Sequence, residues 1–180
     1  MDSITSHDLA KFLLIGGDDG EWDEALNEAE ITWKEDWQLT MDEPPVELDM
    51  KAKLDRILIN HETKKIALVD LKTTRSPLGK FHDTVIKYEY HRQLAFYQFA
   101  LSRAYPEYTI DTAYIIAIQT NKSYPCEVFL IDESYLEIGW NRACQLINRI
   151  CFHTQLGNWN TSQESMLAGA IKIVYDDDDE

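Results

Sequence analysis

The chain has 180 residues, 44% of them hydrophobic and 27% charged. A chain of that length buries roughly 70% of the surface its unfolded state exposes, which excludes general disorder, and seven Gly and five Pro exclude a collagen-like or low-complexity protein. Seventeen basic against 32 acidic residues give a net charge of −15, which argues against a protein that coats DNA non-specifically.

No apolar run approaches the ~20 residues that span a bilayer, and the first residues lack the basic flank and apolar stretch of a signal peptide. The expectation is a soluble protein of the cytosol, bacterial or phage-infected, with no membrane partner. Cys126, Cys144 and Cys151 form no C-x-x-C pair, so buried thiols are expected rather than a disulfide framework or a zinc site.

The elements follow in chain order. Ser6 caps a short helix from His7 to Leu14, broken by the glycines at 16–20. Residues 21–37 are strongly acidic, start with a helical look and carry Trp22, Trp33 and Trp37 as anchors. Pro44 and Pro45 stop any helix. Residues 46–59 alternate as a strand, with Val46, Leu48, Met50, Ala52 and Leu54 on one side. A turn at 60–63 leads to a second strand, Lys65 to Leu71, whose nearly continuous apolar run marks a central position. Thr73 to His82 is a loop. A long helix is expected from an Asp83 N-cap to about Arg103, ended by Pro106. Strands at 110–119 and 126–131 flank a turn at 121–125, and a helix from Glu133 to about Leu156 ends at Gly157. The acidic run 176–180 is expected to be a disordered tail. The expected fold is α/β, a central four-stranded mixed sheet flanked by helices. Residues 1–175 would form a single domain, with an acidic, helical N-terminal part (1–44) and a core (45–160).

Charge is unevenly spread. Residues 51–92 hold ten basic and five acidic side chains, a local +5, which leaves −20 elsewhere. The basic middle contains Asp55 on the first strand of the hairpin and Asp70-Leu71-Lys72 on the second. Asp70 and Lys72 are two apart on a strand and emerge on the same face. A carboxylate at the end of an apolar run needs solvent, a partner or a metal. Two close carboxylates repel unless a divalent cation sits between them, and Mg²⁺ is typically held by one or two carboxylates with phosphate oxygens and water. Lys72 beside such a cation would orient or help deprotonate an attacking water, an arrangement for phosphodiester hydrolysis. A bare D-x-K also fits a solvated hairpin with an Asp–Lys pair.

The stretch from Val46 to Tyr97 resembles the PD-(D/E)XK nuclease superfamily, in the branch of RecB-, RecE- and lambda-exonuclease-like enzymes. The first motif falls on Ala52-Lys53-Leu54-Asp55-Arg56-Ile57, with Ala52 where glycine is usual. The second is Asp70-Leu71-Lys72-Thr73. The third, Q-x-x-x-Y, is Gln93 to Tyr97, preceded by Tyr88-Glu89-Tyr90-His91. Gln93 and Tyr97 are one helical turn apart and share a face. Gln93 could then bond the attacking water or a phosphate, with Tyr97 bracing the backbone or filling the core.

The resemblance implies a restriction-endonuclease-like core that binds Mg²⁺ or Mn²⁺ through Asp55, Asp70 and the backbone carbonyl of Leu71. Catalytic residues would be Asp55, Asp70, Lys72, Gln93 and Tyr97. Many relatives use a further acid or His upstream; Glu24, Glu28 and Glu47 are candidates, with Glu30 and His7 nearby. The four-cysteine iron–sulfur cluster of some relatives needs more cysteines than this chain has. Arg75, Lys80, Lys87 and Arg92 flank the site as candidate DNA contacts. The implied activity is a metal-dependent deoxyribonuclease, an exonuclease of phage-type recombination or repair ahead of a structure-specific endonuclease. Its partners would be linear or single-stranded DNA, a recombination protein, or further copies of itself. The competing reading is a non-catalytic acidic module or DNA mimic that binds a host nuclease or repair protein.

Overall fold

A computed structural model describes residues 6–15, 21–121, 123–162 and 167; the acidic run 176–180 lies outside them. The elements are α1 (Asp8–Ile15), β1 (Glu24–Trp37), β2 (Val46–Asn60), β3 (Lys65–Thr74), a 3₁₀ turn (Leu78–Lys80), α2 (Phe81–Lys87), α3 (Tyr90–Ala104), β4 (Thr109–Gln119), β5 (Cys126–Leu130) and α4 (Glu133–Leu156). The sheet has five strands in the order β1-β2-β3-β4-β5. Strands β2 and β3 pair antiparallel, β3 and β4 parallel, β4 and β5 antiparallel. The sheet is therefore mixed, as expected, with one strand more than the four expected.

The extra strand is β1, where a helical start was expected. Glu and Ala favour helix, but Ala29, Ile31 and Trp33 alternate into the core while Glu30 and Thr32 between them face outward. Across the sheet Glu28 pairs with Lys53 and Glu30 with Lys51. These partners run in opposite directions along the two strands, so β1 and β2 are antiparallel. Cross-strand ion pairs and a half-buried apolar row outweigh helix propensity here.

The chain divides into two compact units. One comprises the residues up to Trp33 with Asp49–Ala143, the other Lys34–Leu48 with the residues from Cys144 onward. In the second, Lys34 Nζ lies 2.5 Å from Glu47 and Trp37 Nε1 donates to Asn148 Oδ1 at 2.7 Å. Helix α4 ends at Gly157, whose φ of 61° suits a residue without Cβ.

The first unit carries the core. Ile66 and Leu68 of β3 pack with Phe81, Val85, Leu94 and Leu101 of α2 and α3. Ala67 and Val69 pack on the other face with Ala10 and Leu13 of α1. Buried on both faces, β3 needs the unbroken apolar run that its sequence shows. On β2 the alternation changes phase: Ala52 and Leu54 enter the same cluster as Ile57 and Ile59. A regular strand cannot place 54 and 57 on one side, so the strand is irregular between them, and Asp55 and Arg56 lie at that step. Arg56 is 7% exposed; its Nε donates to Leu13 O at 2.7 Å and its Nη1 to Asn27 Oδ1 at 2.6 Å. That guanidinium ties α1 and β1 to β2.

The expected single helix from 83 to 103 is two. Helix α2 stops at Lys87, and Glu89, at φ 53°, takes the left-handed conformation before α3 begins. Asp83 lies in the first turn of α2 rather than at its cap, which is Lys80. Helix α3 packs close to α4 at Gly139. A Cβ there would clash with the His91 carbonyl group and lie 2.9 Å from Arg92 N. Those are backbone atoms and cannot turn aside, so Gly139→Ala forces the helices apart. The expected cost is about 1–3 kcal/mol of unfolding free energy, read as a lowered midpoint in urea denaturation.

Candidate active site

The alternation that sends Ile66 and Leu68 into the core places Asp70 and then Lys72 on the same face of β3. Asp70 is 1% exposed, and neither carboxylate oxygen has a hydrogen-bond partner among the described residues. Lys72 stands beside it as an ion-pair partner, with Nζ 2.5 Å from Oδ2. Asp55 lies just before Arg56, which pairs with Val69 in the β2–β3 ladder, and its charge acts on Asp70. Asp55 Oδ2 accepts the backbone N–H of Leu71 at 2.8 Å. The two acids, the lysine and the Leu71 peptide thus meet at one edge of the hairpin.

Burial raises the Asp70 carboxyl above the usual aspartate range; the Lys72 ammonium opposes that rise and the Asp55 charge adds to it. The group is under-satisfied for a buried anion. Two neighbouring carboxylates with unused oxygen capacity suit a hard divalent cation, so the residues fit the group that the resemblance implies. Among the described residues no set of three His, Cys, Asp or Glu side chains gathers to hold a metal; the donor set is two carboxylates.

The other expected ligands are engaged elsewhere. Glu24 lies 3.1 Å from His61 Nε2, Glu28 and Glu30 pair with Lys53 and Lys51, and Glu47 pairs with Lys34. His7 Nδ1 accepts the Ala10 N–H at 3.3 Å, a cap on α1.

Gln93 and Tyr97 do come together on α3. Gln93 Nε2 donates to Tyr97 Oη at 2.7 Å. Burial, with smaller contributions from Asp70 and Asp55, raises the Tyr97 phenol, against the Gln93 hydrogen bond. The helix therefore sets its Q-x-x-x-Y pair within electrostatic reach of both carboxylates, and Tyr97 stays a protonated donor.

The basic middle is largely neutralised from within. Lys51 and Lys53 pair across to β1, Lys65 with Asp111 at 2.8 Å, Lys72 with Asp70, and Arg92 with Glu89. Arg56 is buried in a structural role. Of the four expected DNA contacts, Arg75 and Lys80 are exposed in the segment after β3. Lys87 sits over the Tyr88 ring at 5.7 Å. Arg92 is committed to the Glu89 carboxylate.

Tyr90, whose place in the sequence suggested only a lead-in to the third motif, lies under the site. Lys72 Nζ stands 4.9 Å from its ring centroid, and burial, Tyr88 and Asp70 together raise its phenol. Nothing in the sequence marks this contact, because it depends on the break at Glu89.

The raised Asp70 pKa has a fixed sign. Above the ordinary aspartate value and below the raised one, the folded state keeps a proton that the unfolded chain has released. Stability from this group is therefore greatest at acid pH and falls as pH rises through that window. In EDTA, Asp70→Asn should be more stable than the wild type near neutrality, by about 1–3 kcal/mol. That gain should shrink as pH falls towards ~4. Thermal melts of both proteins across that range measure it.

The family model of the PD-(D/E)XK nuclease superfamily matches residues 8–160. No curated protein matches the chain. Among solved structures, the crystal structure of a protein from Eubacterium rectale, provisionally described as an exonuclease, aligns with a TM-score of 0.54 over 96% of this chain at 14% identity. That likeness is one of fold, and this chain spans 64% of the Eubacterium protein. The family match runs from α1 into the segment after α4 and contains both acids, the lysine and the Gln93–Tyr97 pair. The chain belongs to the PD-(D/E)XK nuclease superfamily.

Proposed function

We propose that the protein is a divalent-metal-dependent deoxyribonuclease that hydrolyses phosphodiester bonds, acting as an exonuclease in recombination or repair of the phage type. One observation carries this reading: a carboxylate at 1% exposure that lies near a second carboxylate and has only the Lys72 ammonium beside it to offset its charge. A purely structural position of that burial would be as stable or more so with an apolar side chain.

Asp55, Asp70 and the Leu71 carbonyl would hold Mg²⁺ or Mn²⁺. When bound, the cation supplies Lewis-acid polarisation of a phosphate oxygen and lowers the pKa of bound water. Lys72 now fills the space against Asp70 Oδ2. From that position the ammonium would be placed to face the scissile phosphate and the attacking water. Gln93 positions the Tyr97 hydroxyl through its amide, and the phenol proton remains available as a donor. Arg75, Lys80 and Lys87 are the basic side chains left to meet the DNA backbone. The exonuclease preference is supported by the description of the Eubacterium protein. The ion pairs of Glu28, Glu30 and Glu47 take those three acids out of a surface that an acidic mimic would present.

Two experiments test this. End-labelled linear DNA and covalently closed circles, incubated with Mg²⁺, Mn²⁺ or EDTA, should show metal-dependent loss of linear DNA alone, and Lys72→Ala should slow it by about 100-fold or more. Cutting of the circle would make the enzyme an endonuclease; no cleavage with any metal would overturn the proposal. Separately, Mn²⁺ at ~100 times its Kd should stabilise the wild type by about 2.7 kcal/mol. Asp70→Ala should abolish that shift in a thermal melt.

A further inference from the structure

Tyr88 is 59% exposed, on the hinge between α2 and α3. Its ring lies 5.8 Å from that of Tyr90, with the planes 19° apart. Tyr90 in turn lies under Lys72 Nζ, which touches Asp70. A single series of contacts therefore runs from the buried carboxylate out to an exposed aromatic ring. Lys87 stands over that ring at 5.7 Å.

Two residues apart on an unbroken helix point to different sides, so this stack exists only because Glu89 breaks the helix. A non-glycine residue at φ 53° is uncommon and strained, and the fold holds it firmly. The Tyr88 N–H donates to Thr84 O at 3.0 Å, the Glu89 N–H to Ile86 O at 3.1 Å and the Arg92 N–H to Glu89 O at 2.9 Å. The Glu89 carboxylate is clamped by the guanidinium groups of Arg92 and Arg142. The clamp also neutralises the one acid of the hinge, which would otherwise repel a polyanion.

We propose that Tyr88, backed by Tyr90 and flanked by Lys87, is a stacking platform for one unpaired base of single-stranded DNA whose phosphodiester lies at Asp70 and Lys72. The proposal rests on the nuclease reading of that site and names its substrate. Inside a duplex the base faces are occupied by their neighbours, whereas an unpaired base has a face free for the ring. Every base has such a face, so the platform is indifferent to sequence. The base takes the place of the flexible Lys87 ammonium on the Tyr88 ring, and that ammonium then neutralises an adjacent phosphate.

The test is the kcat/KM of cleavage of a single-stranded oligonucleotide with Mn²⁺, for the wild type, Tyr88→Ala and Tyr88→Phe. Base–aromatic stacking predicts a loss of roughly tenfold or more for Tyr88→Ala, mainly in KM, and near wild-type values for Tyr88→Phe. An abasic nucleotide at one position should impose the same loss on the wild type and no further loss on Tyr88→Ala. Equal activity of wild type and Tyr88→Ala, or equal losses in the Ala and Phe variants, overturns the platform and leaves the nuclease standing. Should the wild type cleave nothing, the nuclease reading falls on its own. Quenching of a 2-aminopurine-labelled single strand then decides the platform: quenching lost in Tyr88→Ala supports it, and absence of quenching by the wild type overturns it.

Discussion

Asp70 occupies the next helix-facing position of β3 after Ile66 and Leu68, where the packing of the central strand calls for another apolar side chain. A carboxylate there loses its water and gains only the Lys72 ammonium, against the like charge of Asp55. That cost, of the order of a few kcal/mol, is one the fold carries rather than relieves. The rest of the site follows from it. Lys72 must share the face of Asp70 to offset its charge, and a two-residue spacing on a strand guarantees that. Asp55 must reach the same edge, and the phase change of β2 between Leu54 and Ile57 brings it there while the core on either side stays filled. Instability concentrated at one point of an otherwise well-packed sheet is the usual sign of a functional group.

Helix α3 closes the site from above the sheet, and its direction is set at Glu89. Had α2 and α3 run on as one helix, Tyr88 and Tyr90 would diverge and Lys72 would lose its aromatic neighbour. The left-handed residue separates two tasks. Helix α2 inserts Phe81 and Val85 into the core, while α3 presents Gln93 and Tyr97 to the acids. Gly139 allows α4 to approach α3 at His91 and Arg92, next to the hinge, and Arg142, one turn along α4, reaches Glu89. Helix packing and hinge geometry are thus secured by the same helix.

Much of this was legible in the sequence, and the failures have physical causes. The β2–β3 hairpin, β4, β5 and α4 with its Gly157 stop were readable because burial and turn chemistry leave clear periodic marks. The motif acids and lysine were readable because strand alternation fixes their relative faces. Strand β1 was missed because Glu and Ala favour helix locally, and its alternating Ala29, Ile31 and Trp33 were outweighed by that preference; the lysines that stabilise it lie on another strand. The hinge was missed because Glu89 adopts a glycine-like conformation with neither Gly nor Pro nearby, held by arginines of which one is 53 residues away. Tyr90 went unassigned for the same reason. The basic middle looked like a DNA-binding stripe because a count of charges does not show which are already paired.

On the nuclease reading proposed above, the pairing recasts the electrostatic problem of a chain with net charge −15 that would act on a polyanion. Lysines facing β1 serve the sheet and add little field at the site. Attraction is left to the few unpaired cations after β3 and at the hinge, which act over about a Debye length, ~8 Å at physiological ionic strength. Beyond that distance screening mutes the acidic remainder of the surface, so a polyanionic substrate would meet local positive charge before the global negative one. A grip built on so few ionic contacts releases few counterions and supplies little affinity by itself. Contacts that do not depend on charge would have to supply the rest, and exposed Tyr88, stacked on the Tyr90 ring that lies under Lys72, is a side chain so placed.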